Sequence, residues 1–171
     1  MKRMGITAFC AFALLGLTFN DSAAQLGFRG VGGGIGYVKP NDVDGTVLFG
    51  GQVNLGEIVP GLALVPMVDF FSKSDFDFFS INGNVRYYFP TSSNLDFFAT
   101  GGLAIVRVSA PTVNVPGFGS AGGSNTEIGL NLGGGVDIPL TDKLVGTGQI
   151  IYVTEGEQIK IIAGVTVLLG Q

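Results

Sequence analysis

The chain has 171 residues and a formal net charge of −4, with only 13% charged residues and 46% hydrophobic residues. Soluble domains carry roughly a quarter of their residues as charges, and the scattered Lys and Arg residues exclude the basic cluster that binds nucleic acid. Histidine is absent and Cys10 is the only cysteine, which excludes a Ser-His-Asp triad and a site of several cysteines. We therefore expect neither an enzyme nor a cofactor, but a protein with much apolar surface.

The first 24 residues have the three parts of a secretory signal. Lys2 and Arg3 precede an apolar stretch over residues 6–19, and Ser22-Ala23-Ala24 supplies small residues at the end. The alternative is an N-terminal membrane anchor, but the apolar stretch is shorter than the roughly 20 residues of a spanning helix. We predict cleavage after Ala24, which removes Cys10 and leaves an exported domain over residues 25–171.

From residue 26 onward, apolar and polar residues alternate with the period of β-strands rather than helices. In one segment Ile81, Val85 and Tyr87 share one face, while Asn82 and Arg86 share the other. Turn residues separate the segments, which cover residues 26–38, 45–55, 61–72, 76–89, 94–108, 125–138, 143–154 and 157–169. This pattern predicts an all-β protein, an eight-stranded antiparallel up-and-down transmembrane β-barrel.

The polar faces distinguish a membrane barrel from a soluble sandwich. A sandwich would expose many Lys and Glu residues to water, whereas these faces carry mostly Asn, Gln, Thr and Gly, which suit a narrow closed interior. Opposite charges at similar depths would neutralise each other there. The polar and charged residues predicted for the lumen are Asp69, Asn82, Asn84, Arg86, Asp96, Glu127, Asn131, Asp137, Gln149 and Lys160.

The connections alternate in length, and the single long one, over residues 109–124, falls at the end opposite the mature N-terminus. Outer-membrane barrels have this asymmetry, with longer loops outside the cell. Aromatic residues cluster near strand ends, over residues 70–79 and 87–98, as in the aromatic girdles at the membrane interfaces; the alternative is an ordinary aromatic core.

In these features the chain resembles the family of small eight-stranded outer-membrane barrels that includes OmpX and the transmembrane domain of OmpA. The resemblance covers residues 26–171 and includes the stretches at 49–55 and 82–89. It implies an outer-membrane location, contact with outer-membrane lipid and insertion by the barrel-assembly machinery. The chain departs from many members by ending in Leu168-Leu169-Gly170-Gln171 instead of an aromatic residue.

Three functions remain open at this point. The first is a structural or surface-interaction protein with a side-chain-filled lumen, because an eight-stranded barrel is just wide enough to be filled. The second is a narrow pore or transporter for small or apolar solutes, and the third is a soluble exported barrel that binds a small ligand. Paired carboxylates in the outer connections are weak candidates for a divalent cation such as Ca²⁺; they are Asp42, Asp44, Asp75, Asp77, Glu155 and Glu157.

Overall fold

The structure is a computed structural model that describes residues 25–41, 44–73, 76–110, 113–115, 119–121 and 123–169. The predicted signal peptide lies outside the described residues. The strands are β1 (Gln25–Lys39), β2 (Thr46–Val59), β3 (Leu62–Leu64), β4 (Met67–Lys73), β5 (Phe76–Tyr88), β6 (Asp96–Ser109), β7 (Val113–Val115), β8 (Gly119–Ala121), β9 (Ser124–Thr141), β10 (Leu144–Val153) and β11 (Gln158–Leu168). A 3₁₀ turn, Glu155–Glu157, precedes β11.

The sheet closes on itself. Each ring strand pairs with antiparallel neighbours, and β1 completes the ring by pairing with β2 on one side and with β11 on the other. The short strands β3 and β4 together form one of the eight ring strands. The predicted eight-stranded antiparallel barrel is confirmed, and its strands coincide with the predicted segments to within a few residues.

The predicted segment 61–72 is not one continuous strand, because Pro66 has no N–H to donate to a neighbour. The ladder continues past it through flanking groups: Val65 N donates to Asn84 O at 2.8 Å, and Pro66 O accepts from Val53 N at 3.0 Å. The strand is therefore interrupted at Pro66, but the hydrogen bonding of the barrel wall is not.

The two ends of the barrel differ. The short-turn end contains the connections 60–61, 89–95 and 142–143. Gly61, with φ 80°, supplies the positive φ of the two-residue turn 60–61. The long-loop end contains the connections 40–45, 74–75, 110–123 and 154–157. The connection 110–123 includes a separate two-stranded sheet of β7 and β8.

The outward faces form a belt of exposed apolar side chains. Ile128 is 70% exposed, Phe49 58% and Ile35 54%. Other members are Val31, Val47, Val68, Phe70, Phe79, Ile81, Tyr87, Leu103, Leu130, Leu132, Ile150, Ile159, Ile161, Val165 and Val167. No helix among the described residues is long and apolar enough to cross a membrane.

The aromatic residues of the two clusters lie on both the outward and the inward faces of the barrel wall. The predicted girdle therefore includes only the outward ones. Phe70, Phe76, Phe79, Tyr87, Phe89 and Phe97 are exposed on the outside. Phe71 and Phe98 are buried in the lumen, because neighbouring residues in a strand point to opposite faces.

Candidate functional site in the barrel lumen

An apolar layer crosses the lumen near the long-loop end. It consists of Val38, Leu48, Phe71, Val106 and Val153, all no more than 2% exposed. Phe78 stacks on Phe71 with ring centroids 4.4 Å apart, and both Phe78 and Val108 pack against the layer. These side chains come from β1, β2, β4, β5, β6 and β10, so the layer closes the lumen from nearly every side.

A charged layer lies beside it, and we call it the Lys160 layer; its residues are Asp69, Ser80, Asn82, Asn131, Gln158 and Lys160. Lys160 Nζ donates to Asp69 Oδ1 at 2.7 Å, and both side chains are 1% exposed. Asn82 Nδ2 donates to the other carboxylate oxygen at 2.8 Å. Asn131 Nδ2 extends the network to Asn82 Oδ1 at 3.0 Å and Asn84 Oδ1 at 2.9 Å.

A second charged layer, the Arg86 layer, lies toward the short-turn end. Arg86 donates to Gln52 Oε1 at 2.6 Å and Gln149 Oε1 at 3.0 Å, and its guanidinium lies 4.4 Å from the centre of the Phe98 ring. Arg86 Nη1 is 3.8 Å from Asp137 Oδ2.

Asp137 has further partners in this layer. It accepts from Tyr88 Oη at 2.9 Å and from Thr147 Oγ1 at 2.6 Å. Gln52 Nε2 also donates to Thr166 Oγ1 at 2.9 Å. The Arg86 charge is thus shared among amides, an aromatic ring and one carboxylate, as a buried guanidinium requires.

One wall of the lumen is made of glycine. Along the inner face of β1, Gly30, Gly32, Gly34 and Gly36 precede Val38. A Cβ at Gly34 would lie 2.6 Å from Ala163 O, and one at Gly36 would lie 2.3 Å from Ile161 O, so side chains do not fit between β1 and β11. A residual cavity of about 20 Å³ lies along this wall, between the two charged layers.

The lumen opens at the short-turn end into a mouth of about 520 Å³. Basic and acidic side chains both line it, and its walls include Arg29, Glu57, Asp142, Lys143, Leu168 and Leu169. Tyr88 lies at its floor, where the Arg86 layer begins.

The structure brings most residues predicted for the lumen into the two charged layers. Asp69, Asn82, Asn84, Arg86, Asn131, Asp137, Gln149 and Lys160 are all buried. The prediction was wrong for Asp96 and Glu127, whose side chains are exposed. Both residues occupy inward positions in the alternation of their strands. However, Asp96 begins β6 at the short-turn rim, and Glu127 lies near the start of β9 at the long-loop rim. Alternation gives the face of a residue, and its depth depends on where the closed ring ends.

Among the described residues, the carboxylates proposed for a divalent cation do not form a group that could hold one. Asp42 and Asp75 lie outside the described residues, Asp44 and Asp77 are exposed, and the described part of the chain holds no cluster of three metal-binding side chains. Glu157 instead accepts from Asn41 Nδ2 at 2.6 Å. Glu155 shares a hydrogen bond with Glu127, and this bond raises the pKa of Glu155, with burial and the Glu127 charge adding to the effect.

Sequence reasoning missed the apolar layer and the roles of Gln52, Tyr88 and Phe98. Leu48 and Phe71 could have been identified from the sequence, because each occupies an alternate position on the same face as the polar residues of its strand. An apolar residue on the predicted inner face near a strand end indicates a seal.

A closed antiparallel barrel of eight strands with an apolar belt and a filled lumen is the fold of the small transmembrane β-barrels. The chain is similar in structure to the N-terminal β-barrel domain of Pseudomonas aeruginosa OprF, with 15% identity, 85% of this chain and 100% of that chain covered, and a TM-score of 0.62.

It is also similar in structure to Neisserial surface protein A, with 18% identity, 83% of this chain and 96% of that chain covered, and a TM-score of 0.58. A third similar structure is that of the attachment invasion locus protein Ail of Yersinia pestis, solved with the heparin analogue sucrose octasulfate. It is 13% identical, with 85% of this chain and 100% of that chain covered, and the TM-score is 0.57. No family model and no curated protein matches the sequence. At these identities the similarity shows the fold, which is that of the small eight-stranded outer-membrane barrels.

Proposed function

We propose that the protein is a bacterial outer-membrane barrel with a closed lumen and a structural or surface-interaction role. The observation that carries this proposal is the apolar layer of Val38, Leu48, Phe71, Val106 and Val153 across the lumen. An ion that crossed this layer would lose its hydration without gaining polar partners, which is costly. The second function considered, a narrow pore, is disfavoured for the same reason.

The apolar belt supports lipid as the surrounding medium. Soluble monomers rarely expose contiguous apolar patches of more than a few hundred Å², yet this belt extends over the outward faces of the ring strands. A soluble exported barrel that binds a small ligand is therefore the weakest of the three functions. We place the long-loop end outside the cell, and export through a signal peptide cleaved after Ala24 remains part of the proposal, as does insertion by the barrel-assembly machinery.

The charges of the long-loop rim indicate which class of partner this surface favours. Its described side chains include the exposed carboxylates of Asp44, Asp77, Glu127 and Glu157, against the bases Lys39, Lys73 and Arg107. The sulfated ligand bound to Ail therefore does not transfer to this chain, because its rim is not a basic surface. A neutral or basic partner fits better, and we infer no catalytic role for the carboxylates.

Conductance in planar lipid bilayers tests the closed lumen. The wild type should give no stable current steps. The double variant Phe71→Ala/Val106→Ala should raise the current, because it removes two parts of the seal from different walls. Arg86→Ala is the matched control, since it opens the Arg86 layer and leaves the apolar layer intact. A large, steady open channel in the wild type would contradict the proposal.

Gel mobility tests the membrane barrel independently of conductance. Closed hydrogen-bonded barrels resist detergent, so the unboiled protein should migrate differently from the boiled protein. A mature chain that stays in the aqueous fraction without detergent and shows no shift would contradict the outer-membrane location.

A further inference from the structure

The Lys160 layer has more hydrogen-bonding capacity than its contacts use. An ammonium group has three N–H donors, and among the described residues Lys160 Nζ bonds only to Asp69 Oδ1. Three oxygens in the same layer are buried without a partner among the described residues: Ser80 Oγ, Asn131 Oδ1 and Gln158 Oε1. Most buried polar atoms in proteins have a partner, so three unpartnered oxygens in one layer indicate a site that could bind a hydrogen-bond donor or a cation.

Strand register places these acceptors around the ion pair. Ser80 is directly opposite Asp69 in the pairing of β4 with β5. Gln158 precedes Lys160 on the same inner face of β11, and Val153 pairs with both Gln158 and Asn131. Apolar side chains border the set. Ile151 pairs with Lys160 and Met67 with Asn82, and both belong to the same hydrophobic cluster as the apolar layer.

The chamber thus presents one carboxylate together with hydroxyl and amide oxygens. Oxygen atoms of this kind are the ligands that hard cations prefer. We propose that the Lys160 layer is a cation-binding site whose resident cation is the lysine's own ammonium group. This tethered ammonium keeps small inorganic cations such as Na⁺ out of the lumen.

Charge balance explains why the native chain admits no second cation. Asp69 carries one negative charge and Lys160 one positive charge, and no other charged side chain of the described residues belongs to the layer. Arg86 and Asp137, the charged residues of the Arg86 layer, form their own pair. A second cation would leave an uncompensated positive charge in apolar surroundings, which is costly. Removing the ammonium reverses the balance, because the buried carboxylate then needs another cation.

The test compares Lys160→Met with the double variant Lys160→Met/Asp69→Asn. Methionine keeps most of the lysine volume and removes its charge, and the double variant also neutralises the carboxylate. Each protein is refolded into detergent micelles and unfolded with urea at constant ionic strength, while choline is replaced stepwise by Na⁺. Choline serves as the control cation because it is too large for the space that an ammonium group leaves.

We expect Na⁺ to stabilise Lys160→Met specifically. Above the dissociation constant, its unfolding equilibrium constant should fall about tenfold for each tenfold rise in Na⁺. The wild type, whose Asp69 carboxylate is already neutralised by Lys160, and the double variant, whose site has no charge, should respond equally to Na⁺ and choline.

Several results would overturn the proposal. One is equal stability of Lys160→Met in Na⁺ and choline. Another is a Lys160→Met protein that fails to fold at every Na⁺ concentration while the double variant folds. A Na⁺-specific response of the wild type would also contradict the proposal, because the ammonium would then not occupy the site; this measurement needs no variant.

Discussion

The inner faces of β1 and β5 fill the same lumen in opposite ways. On β1 the inward positions from Gly30 to Gly36 carry no side chain, whereas β5 directs Ser80, Asn82, Asn84, Arg86 and Tyr88 inward. Arg86 reaches Gln52 on β2 and Gln149 on β10 across the space that the glycines leave. The comparison teaches that the two walls are sensitive to opposite changes: β5 loses stability when an inward side chain is removed, and β1 when one is added.

The largest expected effect is on the β5 wall. Arg86→Met removes two amide hydrogen bonds and the contact with Phe98, and leaves the buried Asp137 without its cation. Breaking a buried ion pair in this way costs about 3 kcal/mol or more. The free energy of unfolding in micelles, measured with urea, should fall by that amount.

Tyr87→Phe is the control for Arg86→Met, because it lies next to Arg86 on the outward face and is 45% exposed. It should change the free energy of unfolding by less than about 0.5 kcal/mol. Equal losses in the two variants would show that the inner face of β5 has no special role.

The next effect concerns the β1 wall. Gly34→Ala places a methyl group against the backbone of Ala163 and Gly164, whereas the nearest atom to a Cβ at Gly33 is Gly50 O at 3.6 Å. Overpacking of this kind costs about 1–3 kcal/mol, so Gly34→Ala should destabilise the barrel by that amount. Gly33→Ala, one residue away on the outward face, is the matched control and should be nearly neutral. Similar free energies of unfolding for the two variants would contradict the view of β1 as a steric wall.

The smallest effect lies outside both walls, at the long-loop rim. The pKa of Glu155 is raised above its ordinary value of 4.5 by the hydrogen bond to Glu127. A group with a raised folded pKa stabilises the fold below its unfolded pKa, and this contribution is lost as pH rises through the folded value. Acidification toward pH 4 should therefore stabilise the wild type relative to Glu127→Gln, and that difference should shrink toward pH 7. A pH-independent difference in the free energy of unfolding would contradict the shared hydrogen bond.

The sequence predicted the strands and the face of most residues because alternation is local. The polar face of β5, with Asn82, Asn84 and Arg86, was visible as a period of two, and these residues are buried. Depth was not visible, which is why Asp96 and Glu127 were placed in the lumen although they lie on the rims. Depth depends on the register of every pair around the ring, and no single segment contains that information.

The partners of the lumen residues could not be predicted either. Opposite charges at similar depths were expected to neutralise each other, but the pairing of Lys160 with Asp69 joins strands far apart in sequence. The same is true of Asn82 and Asn131, the amides that connect to this pair. The sequence shows that β1 is rich in glycine, but the steric role of these glycines depends on the backbone of β11, which lies beside them. Similarly, the bonds of Val65 and Pro66 that preserve the ladder require the neighbouring strands.

The glycine wall also bears on how the ring closes. The seam between β1 and β11 joins the strands that are furthest apart along the chain, from Lys39 paired with Ile159 to Gly30 paired with Leu168. Closing the longest loop has the largest entropic cost, and non-local pairings slow folding. Along this seam β1 contributes only backbone to the interior from Gly30 to Gly36, so β11 can dock without repacking inward side chains of its partner. The seam can therefore close without rearrangement of inward side chains on β1 from Gly30 to Gly36.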